Sequence, residues 1–476
     1  MPVPVPMPVP VAALAVERLP ALDGIAPADA ADAFRDLPGL ALLESARPGR
    51  AGRWSFLVAE PVAVLEGSAR GVDPFAAARA ALARLDRSPL PPGAPPFAGG
   101  LVGHLGYDLG RRLERLPTLA VDDQELPDLR LGLHTWAIAW DERDKRAWLA
   151  GRAIDGDETA LERALAGVRA RAEAAVRVPL RGETDFPRLA FRSEVDRATW
   201  MARVQAVRAA IAAGELYQAN LARRLVAPFD GDPWPVFRRL RAGEPAAFTA
   251  FVDLGRATPG GPRRAVVSAS PEPFLALDAA GRVRTDPIKG TRPRGRTRAE
   301  DRALAAELLA SGKDRAENTM IVDVLRNDLG RVCRPGSIRV PRLWRLERTP
   351  SVQHLVSTVT GRLAPGRDAF DLLAATFPGG SITGAPKIRA MELIESLEPV
   401  RRGPYCGSAL WLDAGGAMGS SILIRTFVAD GRRLTLHVGG GITWRSDPAA
   451  EWEETRTKAR GPLRAIGAMV EGEEAE

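Results

Sequence analysis

The sequence predicts an α+β fold built on largely antiparallel sheets, and three observations carry that expectation. Several strand-like runs (265–269, 406–412, 420–428 and 433–438) are separated by turns rather than by helices, which favours antiparallel pairing. Helical stretches with clear start signals are interspersed among them. At 476 residues, 45% hydrophobic and 26% charged, the chain is long enough for two domains or one large unit and has the composition of a folded protein.

The elements follow in chain order. MPVPVPMPVPV places proline at every second position, so residues 1–18 are expected to be an extended or disordered arm. No basic residue opens this arm, unlike a signal peptide. From 19 to about 180, short apolar runs alternate with turns and with helical stretches at 73–85 and 158–175. LGLHTWAIAW (131–140) reads as one strand closed by the turn DERD. The polar, proline-interrupted segment 177–192 is a domain boundary, and a second region spans 190–468. Ser193 to Asp196 reads as a capping box, followed by Trp200, Val204, Val207 and Ile211 at helical spacing, with Gly214 as the stop. Residues 313–329 read as one helix, and a last helix starts near Pro448 with Glu451, Glu454 and Lys458 on one face. Taken alone, that face is a solvated helix surface. An acidic tail occupies 469–476.

The formal charge of +7 and the pI of 9.9 are a small imbalance over this length, an arginine-rich surface rather than a nucleic-acid site. No apolar run is long enough to span a bilayer. Cys333 and Cys406 form no CxxC pair and fit a reduced cytoplasmic protein. Of 66 basic residues only five are lysine: 145, 289, 313, 387 and 458. A guanidinium is planar and keeps its proton, whereas an ammonium can become a nucleophilic amine, so the lysines mark places where arginine does not serve.

The segments GYDLGRRLE (106–114), GELYQANLARR (214–224), SPEPF (270–274), PIKGTRPR (287–294) and DRAENTMIVDVLRND (314–328) fall in one order. HLVSTVTG (354–361), FPGGSITGAPK (377–387), YCGS (405–408), SSILIRT (420–426), GGGI (439–442) and EWEETRTKAR (451–460) continue it. Together they resemble the chorismate-utilising enzymes over nearly the whole chain after the arm. The resemblance implies an anthranilate synthase component I-like fold, two large antiparallel sheets packed together and flanked by helices, with the catalytic domain in 190–468.

It also implies a site. Arg425 and Tyr405 would hold the enolpyruvyl carboxylate, for which a forked guanidinium is suited. Gly439, Gly440 and Gly441 would offer backbone N–H groups, and Lys458 with a magnesium ion would bind the ring carboxylate. Glu317 and Glu454 match the family's metal-binding carboxylates, hard oxygen donors of the kind Mg2+ takes. Thr291 and His354 would line the ring and its C4 hydroxyl. Glu272 would protonate the departing hydroxyl, which requires a pKa raised by burial.

Two positions divide the family. Where isochorismate and salicylate synthases have a water-activating lysine, this chain has Gln218, which cannot act as a base. Where anthranilate synthases typically have alanine, it has Lys289. The resemblance therefore implies covalent attack by Lys289 and amination at C4, with anthranilate formation as the alternative. The arginines at 284, 292, 294, 296 and 298 would lower the lysine's pKa if they point inward, or else form a solvated loop. Ser45, Arg53, Ser55, Phe56 and Phe248 match elements that hold tryptophan in the family, although ordinary core packing accounts for them equally well. Neither cysteine sits in a glutaminase nucleophile turn, so ammonia is expected from a separate glutamine amidotransferase subunit.

Overall fold

In a computed structural model, residues 13–47, 52–67, 73–175, 186–348 and 352–472 are described. Most of the proline-rich arm and the last four residues of the acidic tail lie outside them. Two sheets dominate. The 13-stranded sheet runs in the order Leu14–Arg18, Arg146–Arg152, Trp136–Asp141, Trp54–Val58, Ala41–Glu44, Phe248–Arg256, Arg263–Ser270, Thr426–Ala429, Arg433–Thr443, Gln218–Pro228, Ala190–Ser193 and Met469–Val470. Gly384–Ala385 pairs beside Gln218–Pro228. The 10-stranded sheet runs Ile288–Pro293, Val352–Arg362, Arg282–Thr285, Pro273–Leu277, Met418–Ile422, Ser408–Asp413, Gly100–Leu105, Leu129–His134 and Ala63–Gly67, with Arg339–Arg348 beside Val352–Arg362. Pairing is antiparallel except where Met469–Val470 joins Ala190–Ser193. The α+β expectation is met. Both sheets draw strands from either side of 177–192.

Several local expectations change. The run 131–140 is two strands, Leu129–His134 in one sheet and Trp136–Asp141 in the other. Every residue from 131 to 141 is buried, so the run shows no alternation to mark the break at Thr135. The run 420–428 likewise divides between the two sheets at 423–425. Leu14–Arg18 of the arm and Met469–Val470 of the tail are strands. The helix Arg197–Ala212 is capped by Asp196, whose side chain accepts from Thr199 N–H, while Ser193 belongs to the preceding strand. The other predicted helices appear as Ala76–Leu82, Glu158–Ala175, Gly312–Gly330 and Pro448–Ala465.

Apolar side chains fill the space under and between the sheets. Trp234 packs edge-on to Phe251 at 4.9 Å between ring centroids, with Phe237 beside both. A second core gathers Phe274, Phe377, Met391, Leu373 and Leu329, joining the helices Gly312–Gly330, Ala369–Thr376 and Lys387–Leu397 to the smaller sheet. That core fixes the strands Pro273–Leu277 and Ile288–Pro293 against the Gly312–Gly330 helix, which sets the site. Cys333 and Cys406 are buried and unbridged. No helix among the described residues is long and apolar enough to cross a membrane.

Candidate active site

The acid end of the site lies where strand Arg263–Ser270 turns into Pro273–Leu277. Ser270 Oγ accepts from Glu272 N–H at 3.2 Å, holding the turn, and Glu272 is only 8% exposed. Burial raises its carboxyl pKa, opposed by the charge of Lys289, a hydrogen bond from Ser381 and the charge of Lys458. Lys289, on strand Ile288–Pro293, donates from Nζ to the Ser381 carbonyl at 3.2 Å. Ser381 therefore binds both lysine and acid. Its motif, FPGGSITGAPK, gives no sign in the sequence of what Ser381 does.

Two helices bring the carboxylates. Glu317, from Gly312–Gly330, has its pKa raised by burial, against the charges of Lys289 and Lys313. Glu454, from Pro448–Ala465, is also pushed up by burial, but Lys458, Lys313 and Lys289 hold it below the ordinary value. Lys458 Nζ lies 2.7 Å from Glu454 Oε1 and donates to the Gly439 carbonyl at 2.8 Å. Glu454 and Lys458 remain half-exposed, as befits the mouth of a site whose acid is buried. Glu451 is buried, so this helix face is not simply a solvated surface. Burial raises its carboxyl as well.

The glycines lie where side chains would collide. A Cβ on Gly439 would stand 2.3 Å from the Leu221 carbonyl, and one on Gly441 1.9 Å from Gln218 Nε2. One on Gly440 would come within 3.2 Å of Glu454 and 3.5 Å of Lys458 Nζ. Gln218 is buried beside them on the paired strand, its Oε1 without a hydrogen-bond partner among the described residues.

Thr291 Oγ1 and His354 Nδ1 lie 2.9 Å apart across paired strands. Burial, helped by the positive charges of Arg425 and Arg47, lowers His354 to about 4, so the imidazole is neutral at pH 7. Arg425 adopts a left-handed backbone, φ +51°, and pairs with Glu244 at 3.1 Å. Tyr405 is buried and stacked on His437 at 5.0 Å. Burial pushes its phenol pKa well up, keeping it protonated.

The arginine run does not point at Lys289. Arg284 pairs with Asp286, Arg292 with Glu307 and Asp314, and Arg294 with Asp301, while Arg296 and Arg298 are exposed. The solvated-loop alternative describes them better. Lys387 is a structural cation: its Nζ holds Asp328 at 2.7 Å and the Thr376 carbonyl at 2.9 Å.

The five tryptophan candidates part company. Arg53, Phe56 and Phe248 line a cavity of about 920 Å³ between the sheets, with Leu43, Trp411 and Met418. Ser45 lines a separate cavity of about 140 Å³. Ser55 Oγ is occupied, accepting from Ser45 N–H and donating to Glu142. The large cavity contains neither Lys289 nor Glu272 and is distinct from the acid–lysine cluster.

The fold and the sequence together define a chorismate binding enzyme. Residues 41–464 match the family model of that description, and the chain belongs to the family. Among its relatives, aminodeoxychorismate synthase component 1 of Klebsiella aerogenes is 42% identical over 428 residues, covering 87% of this chain and 90% of the relative. Anthranilate synthase component 1 of Streptomyces coelicolor is 42% identical over 438 residues, covering 89% and 83%. The crystal structure of anthranilate synthase component I from Streptococcus pneumoniae superposes with a TM-score of 0.76 at 30% identity, covering 87% of this chain and 93% of that one.

Proposed function

We propose that this chain is the chorismate-aminating component of an aminodeoxychorismate synthase, converting chorismate and ammonia to 4-amino-4-deoxychorismate for 4-aminobenzoate and folate synthesis in the cytoplasm. The observation that carries the reading is Lys289, beside Ser381, with its charge acting on Glu272, Glu317 and Glu454. An amine in that place supports nucleophilic catalysis, which divides one difficult displacement into two easier ones.

In the first step the amine of Lys289 attacks C2 of the ring, the two conjugated double bonds each shift by one position, and the C4–O bond breaks. Glu272 gives its proton to the leaving oxygen, which departs as water. Ammonia then attacks C4, the two double bonds shift back, and the C2–N bond to Lys289 breaks. The proton released from the incoming ammonia passes to a base in the site. Tyr405 and Arg425 hold the enolpyruvyl carboxylate, the glycine strand and Lys458 face the ring carboxylate, and Thr291 with neutral His354 orients the C4 hydroxyl. Gln218 supplies no base for water, which leaves ammonia as the attacking partner.

Glu317 and Glu454 suit a magnesium ion as a pair of hard oxygen donors, and each charge raises the cost of the other. Among the described residues no group of three or more histidines, cysteines or carboxylates gathers as a self-sufficient metal site, so water and substrate oxygens would complete the shell. When bound, the ion would neutralise the ring carboxylate. A separate glutaminase subunit supplies the ammonia. Tryptophan, if held, would take the inter-sheet cavity that Arg53, Phe56 and Phe248 line, with Ser45 and Ser55 outside that lining.

Incubation with chorismate, magnesium and ammonia should yield aminodeoxychorismate. Anthranilate as the main product would instead place the chain with the anthranilate-forming relatives, which it matches at equal identity.

A further inference from the structure

One cation near the proposed carboxylate grip has no role so far. Arg47 follows the strand Ala41–Glu44, and its N–H donates to the Ala246 carbonyl at 3.0 Å. The Thr249 hydroxyl donates to the Glu44 carbonyl at 2.8 Å, fastening the same segment. Two residues before Ala246, Glu244 holds Arg425 at 3.1 Å. The backbone thus anchors Arg47 beside the Glu244–Arg425 pair. Its side chain is partly buried, and among the described residues no carboxylate forms an ion pair with it. Burial and the charge of Arg425 make its protonated form less favourable, and His354 feels both guanidiniums.

Arg425, 43% exposed, holds the one carboxylate of this neighbourhood, Glu244, while partly buried Arg47 feels its charge without a carboxylate of its own, which leaves an excess of positive charge there. Like charges so close are costly unless an anion joins them. We infer that Arg47, from the N-terminal region, is a second guanidinium for the substrate carboxylate held by Arg425. The inference rests on the reading of Arg425 as that carboxylate's ligand. It explains how a segment far from the catalytic motifs in sequence contributes to substrate binding. Two forked donors also fix the orientation of a carboxylate more tightly than one.

The test is steady-state amination with free ammonia, varying chorismate, in wild type, Arg47→Gln, Arg47→Lys and Arg425→Gln. Losing one charge-assisted hydrogen bond should raise KM for chorismate about tenfold in Arg47→Gln, with a much smaller fall in kcat. Arg47→Lys should recover part of the loss. In the double variant with Arg425→Gln the two effects should be non-additive, since both groups grip one carboxylate. Melting curves show whether each variant is folded, and should Arg47→Gln fail to fold, Arg47→Lys and its double variant give the same comparison. An unchanged KM in folded Arg47 variants, alongside a raised KM in Arg425→Gln, overturns the role of Arg47 alone. No chorismate binding by wild type overturns the functional reading and this role with it.

Discussion

At the scale of single residues, the proposed chemistry rests on one buried carboxyl group, Glu272, and one amine beside it, Lys289. Glu272 is buried, which raises its pKa, and Lys289 and Lys458 oppose that rise without reversing it. As a general acid it works only when protonated. Activity should therefore fall as pH rises through its elevated pKa, giving a descending alkaline limb. Ammonia itself becomes more available as pH rises, so rates must be compared at constant free ammonia. Glu272→Gln should lose about 10²–10⁴ in kcat and lose that limb. Lys289→Ala should abolish a covalent chorismate adduct detectable by intact mass in the absence of ammonia, and equal masses in wild type and variant would make Lys289 a bystander. Scarcity made these residues legible: among five lysines, 289 and 458 fall in the site and 387 in a buried ion pair. Ser381 was harder to find, because it acts on Lys289 through a carbonyl that every residue possesses.

At the scale of elements, the glycine strand and the buried cation make opposite demands. Gly439→Ala would drive a methyl group into the Leu221 carbonyl, a rigid neighbour, and should cost about 1–3 kcal/mol in denaturant unfolding. Gly440→Ala faces only the flexible ends of Glu454, Glu451 and Lys458, so it should spare stability while raising the magnesium and chorismate requirements. Lys387→Met would leave Asp328 buried without its partner and should cost about 3 kcal/mol or more. Helices were legible because capping and 3.6-residue spacing are local. Strand breaks were not: 131–140 stays buried through Thr135, where the chain passes from one sheet to the other, and in 420–428 only Ile424 and Arg425 interrupt the buried run at the same kind of passage. A fully buried strand carries no alternation to mark its end. The arm's Leu14–Arg18 strand was hidden for another reason: it is half-buried along its length, and its partner Arg146–Arg152 lies far along the chain.

At the scale of the whole molecule, three of the four histidines, His104, His134 and His437, are buried, His354 is partly buried, and all four are held neutral. His104, His134 and His354 are lowered to about 4, and His437 well below its ordinary value, in each case chiefly by burial. Their folded pKa values lie below the unfolded value near 6.5, so the stability they contribute is fully present above pH 6.5 and is lost as pH falls toward 4. In the folded protein none of the four imidazoles should titrate between pH 5 and 8, which proton–carbon NMR of the ring resonances would check. A titration midpoint near 6.5 for any of them would mean that its surroundings are wetter than this packing allows.

The large sheet also governs how the chain is made. Leu42 pairs with Phe251, so the strand Ala41–Glu44 leaves the ribosome roughly 200 residues ahead of its neighbour. At about 5–20 residues per second that is a wait on the order of 10–40 s. The strand Arg263–Ser270 waits again for Thr426–Ala429. During synthesis the amino-terminal strands carry apolar faces with nothing to cover them, and pairings of such long range close slowly. This enzyme should therefore lean on chaperones while it is being translated, and production in cells should improve more from slower synthesis at low temperature than from any change near the active site.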